Sequence, residues 1–486
     1  MIKRPVSIIL AMLLSASVAI AGGVYTSSAH GHPNTGVHRD TALPRGNCAQ
    51  CHGQHDTPGN SFGLFMENFG GSKNGLCFSC HASSSAAYFG QGPYQGAVHS
   101  TSSFAYWPGP TPSGRVSSDF GNCANCHDPH GSSDANGLIP SLLVARDESL
   151  CLACHDSGGP SMVDIGRQTA KLNNHAMTNV TMLGKHSAAE LMIPASFSGT
   201  NRHIECSDCH NVHAIQSTTV HTVGTNVASD LLKGVSRLEA VYGGSAWTPP
   251  SFTPRAGNYV TDIRYEYELC FKCHSSWAYS SLPPSAPSGG NETDQSVEFN
   301  PNNRSYHPVV DYIKDNSYTI PTVTNGFTQT MESPWDADPD HKLMYCSDCH
   351  TSETNGDPTG PHGSTKPYVL VASTSTSDNT FCLKCHKTSV YAPSEPGTSE
   401  TGSRFDMQTT GDETASHFKH VVDKHIGCRQ CHGGSRVSNG GSISPGSAHG
   451  TDLSAGFMNG TQMISYSPGN CLPACHERET YTAGTE

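Results

Sequence analysis

One spacing pattern consumes every cysteine of this 486-residue chain, and it leaves little freedom in what the chain can become. All but the last two of the 20 cysteines stand in Cys-x-x-Cys-His motifs. These are Cys48, Cys51 and His52; Cys77, Cys80 and His81; Cys123, Cys126 and His127; Cys151, Cys154 and His155; Cys206, Cys209 and His210; Cys270, Cys273 and His274; Cys346, Cys349 and His350; Cys382, Cys385 and His386; and Cys428, Cys431 and His432. The last pair, Cys471 and Cys475 before His476, reads CLPACH, with one additional residue between the cysteines. A disulfide framework is the default for an exported, cysteine-rich chain. Disulfide pairing gives no reason for a histidine after every second cysteine.

The physical reason for the spacing is covalent attachment of c-type haem. On a short helical turn, residues i, i+3 and i+4 share a face, so two thioethers can hold the macrocycle edge while the adjacent imidazole binds iron. Zinc ribbons and thioredoxin-like sites also use Cys-x-x-Cys, but neither needs the histidine. In CLPACH the wider spacing demands a local distortion, which Pro473 can supply. Haem is still expected there, giving ten covalently bound haem c groups with Cys471 and Cys475 as anchors and His476 as ligand.

On these motifs the chain resembles the multihaem, here decahaem, c-type cytochromes of the doubled-CxxCH class, similar to those of metal-respiring bacteria. The resemblance implies mostly irregular loops with short α-helices wrapped around a packed haem chain, and little β-sheet. Taken in order, the motifs form an internal repeat of five pairs. Second members carry Phe or Leu directly after the first cysteine; first members carry small or polar residues between the cysteines. The expected organisation is a signal peptide over 1–21 and haem-pair units over 22–90, 91–160, 161–285 (with an insertion), 286–395 and 396–486.

The chain has 28 histidines, of which the motifs use ten. Three first members continue as CHGQH, CHDPH and CHNVH, which place His55, His130 and His213 three residues beyond the motif histidine. The PHGS and AHGT segments of the fourth and fifth units place His362 and His449 further on. A histidine three residues away can hardly reach the opposite face of the same iron, so these five are expected to bind the iron of a neighbouring haem. Upstream of each pair, His38, His99, His186, His307 and His420 are the expected remaining distal ligands. His30, His32, His175, His203, His221, His341, His417 and His425 are then left as competitors or non-ligands, and an N-terminal one could serve a neighbouring subunit. The 12 methionines, among them Met66, Met177, Met182 and Met344, follow no repeat. Bis-His, low-spin, low-potential haems are therefore expected.

Lys3 and Arg4 precede an apolar run from Ile8 to Ile20, and Ala19-Ile20-Ala21 has the form of a cleavage site. The run is shorter than the roughly 20 residues that span a bilayer, and no other stretch of the sequence could span one. Export to the periplasm or cell exterior, with no transmembrane segment in the mature chain, is the expectation. A formal charge of −13 makes nucleic acid an improbable partner and favours basic redox proteins or metal cations.

With Tyr exchanged for Gly, the apolar share is about 42%, against a usual 45–50%. Ten macrocycles would fill that shortfall. Residues 282–304 and 389–403 read as loops. In the insertion between Ala214 and Leu269, the spacing of Leu231, Leu232, Val235, Leu238 and Val241 is compatible with a helix in a small packed subdomain.

Electron transfer, rather than catalysis, is the expected role, in anaerobic or extracellular respiration. The carrier would be a shuttle or a filament subunit, exchanging electrons with partner proteins or extracellular acceptors. The alternative is a multihaem oxidoreductase acting on nitrite, a sulfur oxyanion or a metal. It would need an open iron position, and all ten motifs retain histidine, so no catalytic residue is assigned.

Overall fold

The computed structural model describes residues 24–52, 74–82, 91–108, 120–146, 148–175, 177, 204–255, 265–278, 294–303, 305–312, 331–336, 342–373, 378–394 and 417–428, with backbone alone at 450–451, 463–467, 470–473 and 479–480. It divides into two compact units, Met1–Arg167 with Glu205–Gln216, and Gln168–Ile204 with Ser217–Glu486. No helix among the described residues is long and apolar enough to cross a membrane. Short helical turns, short antiparallel ladders and loops make up both units among the described residues, as in a multihaem cytochrome with little sheet.

Among its described residues the first unit has little apolar core of its own. Its buried hydrophobic side chains are mostly small or scattered, such as Ala97, Trp107, Ile139, Val144, Ala214 and Ile215. Much of its regular structure falls on the motifs themselves. Cys48–Gln50 and Cys123–Asn125 are single 3-10 turns, opened by Asn47 and Asn122, whose side chains accept from the backbone N–H two residues on. Gly75–His81 and Glu148–His155 are longer helices that end on the motif histidine.

The second unit adds a packed core of Leu238, Tyr267, Phe271, Phe299, Val309 and Met344, against which Phe252, Trp277, Trp335, Cys346 and Cys349 lie. The insertion forms an antiparallel hairpin, Arg237–Val241 on Ser251–Arg255, where the spacing of its aliphatic residues suggested a helix. Strand alternation governs this stretch, since Leu238 is buried and Val241 is exposed. Gly243-Gly244 and Pro249-Pro250 occupy the connection, where helix cannot continue. A buried Arg237–Glu268 pair at 3.0 Å ties the hairpin to the helix Glu266–Cys270.

The CLPACH segment departs from the other motifs. Asn470–Pro473 is a strand between Met463–Ser467 and Glu479–Thr480, and its register shifts between Leu472 and Pro473. Distortion therefore falls at Pro473, but on a strand instead of a helical turn. Cys475 and His476 lie outside the described residues, as do Cys431 and His432.

Candidate haem-binding sites

Six of the motifs share one backbone closure. His52, His127, His210, His274 and His350 each donate their N–H to the carbonyl of the motif's first cysteine at 2.9 Å, and His386 does so at 3.0 Å. That single turn aims two sulfurs and an imidazole from one face. In the two CSDC motifs, Asp208 and Asp348 accept from the N–H of Glu205 and Tyr345 at 2.7 and 2.9 Å, which caps the turn from within.

Among the described residues, six motif histidines are seen with a non-motif histidine ring facing them. His52 and His130 lie with ring centres 6.0 Å apart and planes 12° from parallel; His127 and His213 are 6.0 Å apart at 18°. For second motifs, His81 faces His30 at 6.3 Å and His155 faces His99 at 6.1 Å. His274 faces His175 at 6.1 Å, and His386 faces His307 at 6.4 Å. A histidine nitrogen binds a metal at about 2.0–2.1 Å and its ring centre lies about 1.1 Å further, so two rings on opposite sides of one ion stand about 6.3 Å apart. The spacing fits an iron held between two imidazoles, and the neighbouring paired sulfurs fit a macrocycle edge.

Hydrogen bonding at Nδ1 leaves Nε2 of these rings for a metal. His127 Nδ1 lies 3.0 Å from the Ser141 carbonyl and His350 Nδ1 2.8 Å from that of Tyr368. His30 Nδ1 meets the Pro129 carbonyl at 3.2 Å and His99 Nδ1 the Val212 carbonyl at 3.3 Å. The His175 ring also hydrogen-bonds to the backbone of Pro361. Burial drives the His175 imidazole down to about 4, reinforced by the neighbouring His274, and burial also lowers His30, His99 and His155. These rings are held neutral, the state that binds metal.

The carbonyls that orient three upstream histidines belong to Pro129, Val212 and Pro361, each directly before a downstream histidine: His130, His213 or His362. His130 and His213 are themselves turned away from their own motifs by Asx turns, in which Asp128 and Asn211 accept the histidine N–H at 2.9 and 3.1 Å. His175 and His362 leave one short ladder, Asn173–Asn174 on Gly363–Ser364, at the same end. Ser305–Tyr306 pairs with Gly450–Thr451 in the same sense beside His307.

At two upstream positions the ring that faces a motif histidine belongs to another residue than the one expected. The ring facing His81 is His30, where the sequence suggested His38. A loop closed by His32 N to Ser28 O and Val37 N to His30 O tucks His30 inward, and no ring contact among the described residues involves His38. The ring facing His274 is His175, while His186 lies outside the described residues. His175 is placed by Lys171, whose Nζ reaches Ser352 Oγ, Asp357 and Glu353 at 2.7, 3.1 and 3.3 Å. Lys171→Met should leave two carboxylates facing each other without their cation and cost about 3–5 kcal/mol. Thermal unfolding and the low-spin haem absorbance should both register the displaced His175 segment.

Of the other candidates, His420 lies in the helical segment Phe418–Asp423 and His417 packs edge-on against Tyr391 at 5.3 Å. His55 and His449 lie outside the described residues. His221 stacks on Tyr345 at 4.1 Å with its Nε2 3.1 Å from Asp348.

Sequence reading missed a repeated hexapeptide, PSLLVA from Pro140 and PYVLVA from Pro367. Ser141 and Tyr368, whose carbonyls meet His127 and His350, have left-handed φ of 58° and 61°. Val144 and Val371 then donate to the Cys126 and Cys349 carbonyls at 2.9 Å each, so each hexapeptide folds back on its motif. Left-handed non-glycine residues cost of order 1–3 kcal/mol and persist where the surroundings impose them. Ser141→Gly should keep the carbonyl in place with equal or higher stability, whereas Ser141→Val should cost about 1–2 kcal/mol in thermal unfolding.

Residues 41–86 and 117–159 match the Doubled CXXCH motif family. No curated protein and no solved structure matches the chain. Repeated haem-attachment motifs on a loop-rich scaffold make this a multihaem c-type cytochrome, carrying covalently bound haem c and serving electron transport.

Proposed function

We propose that the chain is an exported decahaem cytochrome that conducts electrons through closely packed, mainly bis-His haems in anaerobic or extracellular respiration. The observation that carries this reading is the set of six ring pairs at 6.0–6.4 Å, each joining a motif histidine to one from elsewhere. Haem iron, when bound, supplies the ferric–ferrous couple. The protein supplies axial imidazoles, hydrogen bonds that fix their orientation, and burial that excludes water.

In this assignment the motif histidines are proximal ligands. His30, His99, His175 and His307 are distal ligands of second-motif haems; His130 and His213 serve the first-motif haems of the preceding pair. His30 and His175 replace His38 and His186. His55, His362, His449 and His420 complete the set on sequence grounds alone. Such a carrier acts as a shuttle or as a filament subunit, which negative-stain microscopy of the secreted fraction separates.

The test is intact mass together with electron paramagnetic resonance of the secreted holoprotein. Ten haem increments and low-spin signals are expected. First-motif rings are near-parallel and second-motif rings are rotated, by 79° at His99–His155 and 68° at His307–His386, so at least two low-spin classes should appear. A five-coordinate haem that turns over nitrite or a related oxyanion would overturn the reading in favour of a reductase.

A further inference from the structure

We propose that Asn74, Glu266 and Asn379 are positioning residues that hold the second motif of one haem pair against the first motif of the next, and so fix the electron path between pairs. The inference rests on the haem reading above. Each residue stands three or four positions before the first cysteine of a second motif, Cys77, Cys270 or Cys382.

Asn74 is the fullest case. It occupies the N-cap of Gly75–His81, yet its side chain makes no capping bond there. The amide is spent on the next pair instead: Oδ1 accepts from Cys123 N at 2.9 Å and Nδ2 donates to the Gly121 carbonyl at 2.8 Å. An N-cap bond stabilises the first turn of a helix, so its diversion marks a competing use. Asn379 repeats the contact, with Oδ1 accepting from Cys428 N at 2.6 Å.

Glu266 does the same work with a carboxylate, accepting from Ser347 N at 2.9 Å and from Ser347 Oγ at 2.8 Å, directly beside Cys346. At CLPACH, the position three before Cys471 is Pro468, which has no side-chain acceptor.

The clamps bring particular sulfurs together. Cys77 meets Cys123 and Cys151 meets Cys206, in each case the first cysteine of consecutive motifs. Cys270 and Cys346 lie with Glu266 in a cluster whose ligand atoms are all within 4.8 Å of one another. Each such sulfur is bonded to a macrocycle edge once haem is attached. A side chain that holds the two sulfurs in contact therefore sets how closely two edges approach.

Asn74→Ala and Asn379→Ala test this in the full-length holoprotein, with Asn379→Asp as the conservative partner and Pro468→Ala as control. Intact mass counts haems, and Soret circular dichroism reads excitonic contact between neighbouring haems. The expected result is a full haem complement in every variant, loss of part of the Soret couplet in both alanine variants, and its retention in Asn379→Asp, whose oxygen accepts the same N–H. Pro468→Ala should leave the couplet unchanged. An unchanged couplet in the alanine variants overturns the proposal, as does equal loss in Asn379→Ala and Asn379→Asp, or failure of both alanine variants to carry their haems. Wild-type protein without haem increments would instead remove the reading on which it rests.

Discussion

Replacing Cys346 and Cys349 together with serine should remove one haem from the intact mass and unfold the packed part of the second unit. Both cysteines lie against the Leu238, Tyr267, Phe271, Phe299, Val309 and Met344 core, and the Tyr345 hydroxyl beside them donates to the Val227 carbonyl at 2.8 Å. Loss of the macrocycle would leave that apolar wall facing water and the His350 turn without its anchor. A prosthetic group that binds only the folded chain adds its binding free energy to folding. The cost should be on the order of the 5–15 kcal/mol by which a domain is stable at all. Circular dichroism at 25 °C should show lost structure. A variant that melts near wild type would mean that the side-chain core alone carries this unit.

Exchanging His213 for Met should raise the potential of one haem and leave the others near their places. Its ring lies 6.0 Å from His127, and its orientation is fixed by Asn211 at the backbone, not through the imidazole. The substituted side chain therefore starts from the same point. A thioether ligand raises the potential relative to imidazole. A shift on the order of 0.1 V is a modest part of the roughly 0.8 V that axial ligands span. Spectroelectrochemical titration should resolve one upward-shifted component and a sulfur-to-iron absorption band. His213→Ala should instead convert the same haem to high spin, because Tyr94, whose ring is 6.0 Å from that of His213, offers no comparable ligand at neutral pH. An unaltered titration in both variants would remove His213 from the ligand set.

What the sequence discloses here follows from how local each constraint is. The i, i+3, i+4 geometry of a motif is complete within five residues, so the Cys48–His52 turn can be read without knowing anything beyond it. The turning away of His130 is almost as local, since Asp128 supplies the Asx turn within CHDPH. His30 and His175 depend on carbonyls far along the chain, at Pro129 and Pro361, and no spacing distinguishes them from His38 or His186. Leu231 to Val241 can be fitted to a helical period, but alternation of Leu238 and Val241 across a paired strand decides the outcome. The hexapeptides at Pro140 and Pro367 hide for another reason. Their function rests on backbone carbonyls at left-handed Ser141 and Tyr368, and these residue types do not announce that conformation.

On the proposed export and wiring, the pairing of His52 with His130 and of His127 with His213 also orders events in time. A repeat that borrows a ligand from its successor would stay unfinished until that successor has followed it out of the cell. On the proposed wiring, the first haem of each nascent pair emerges with one axial face open, and the next stretch of chain closes it. Maturation then runs from the N-terminus as a zipper that trails translocation by one repeat, and a chain stalled midway would expose a reactive iron at its growing end.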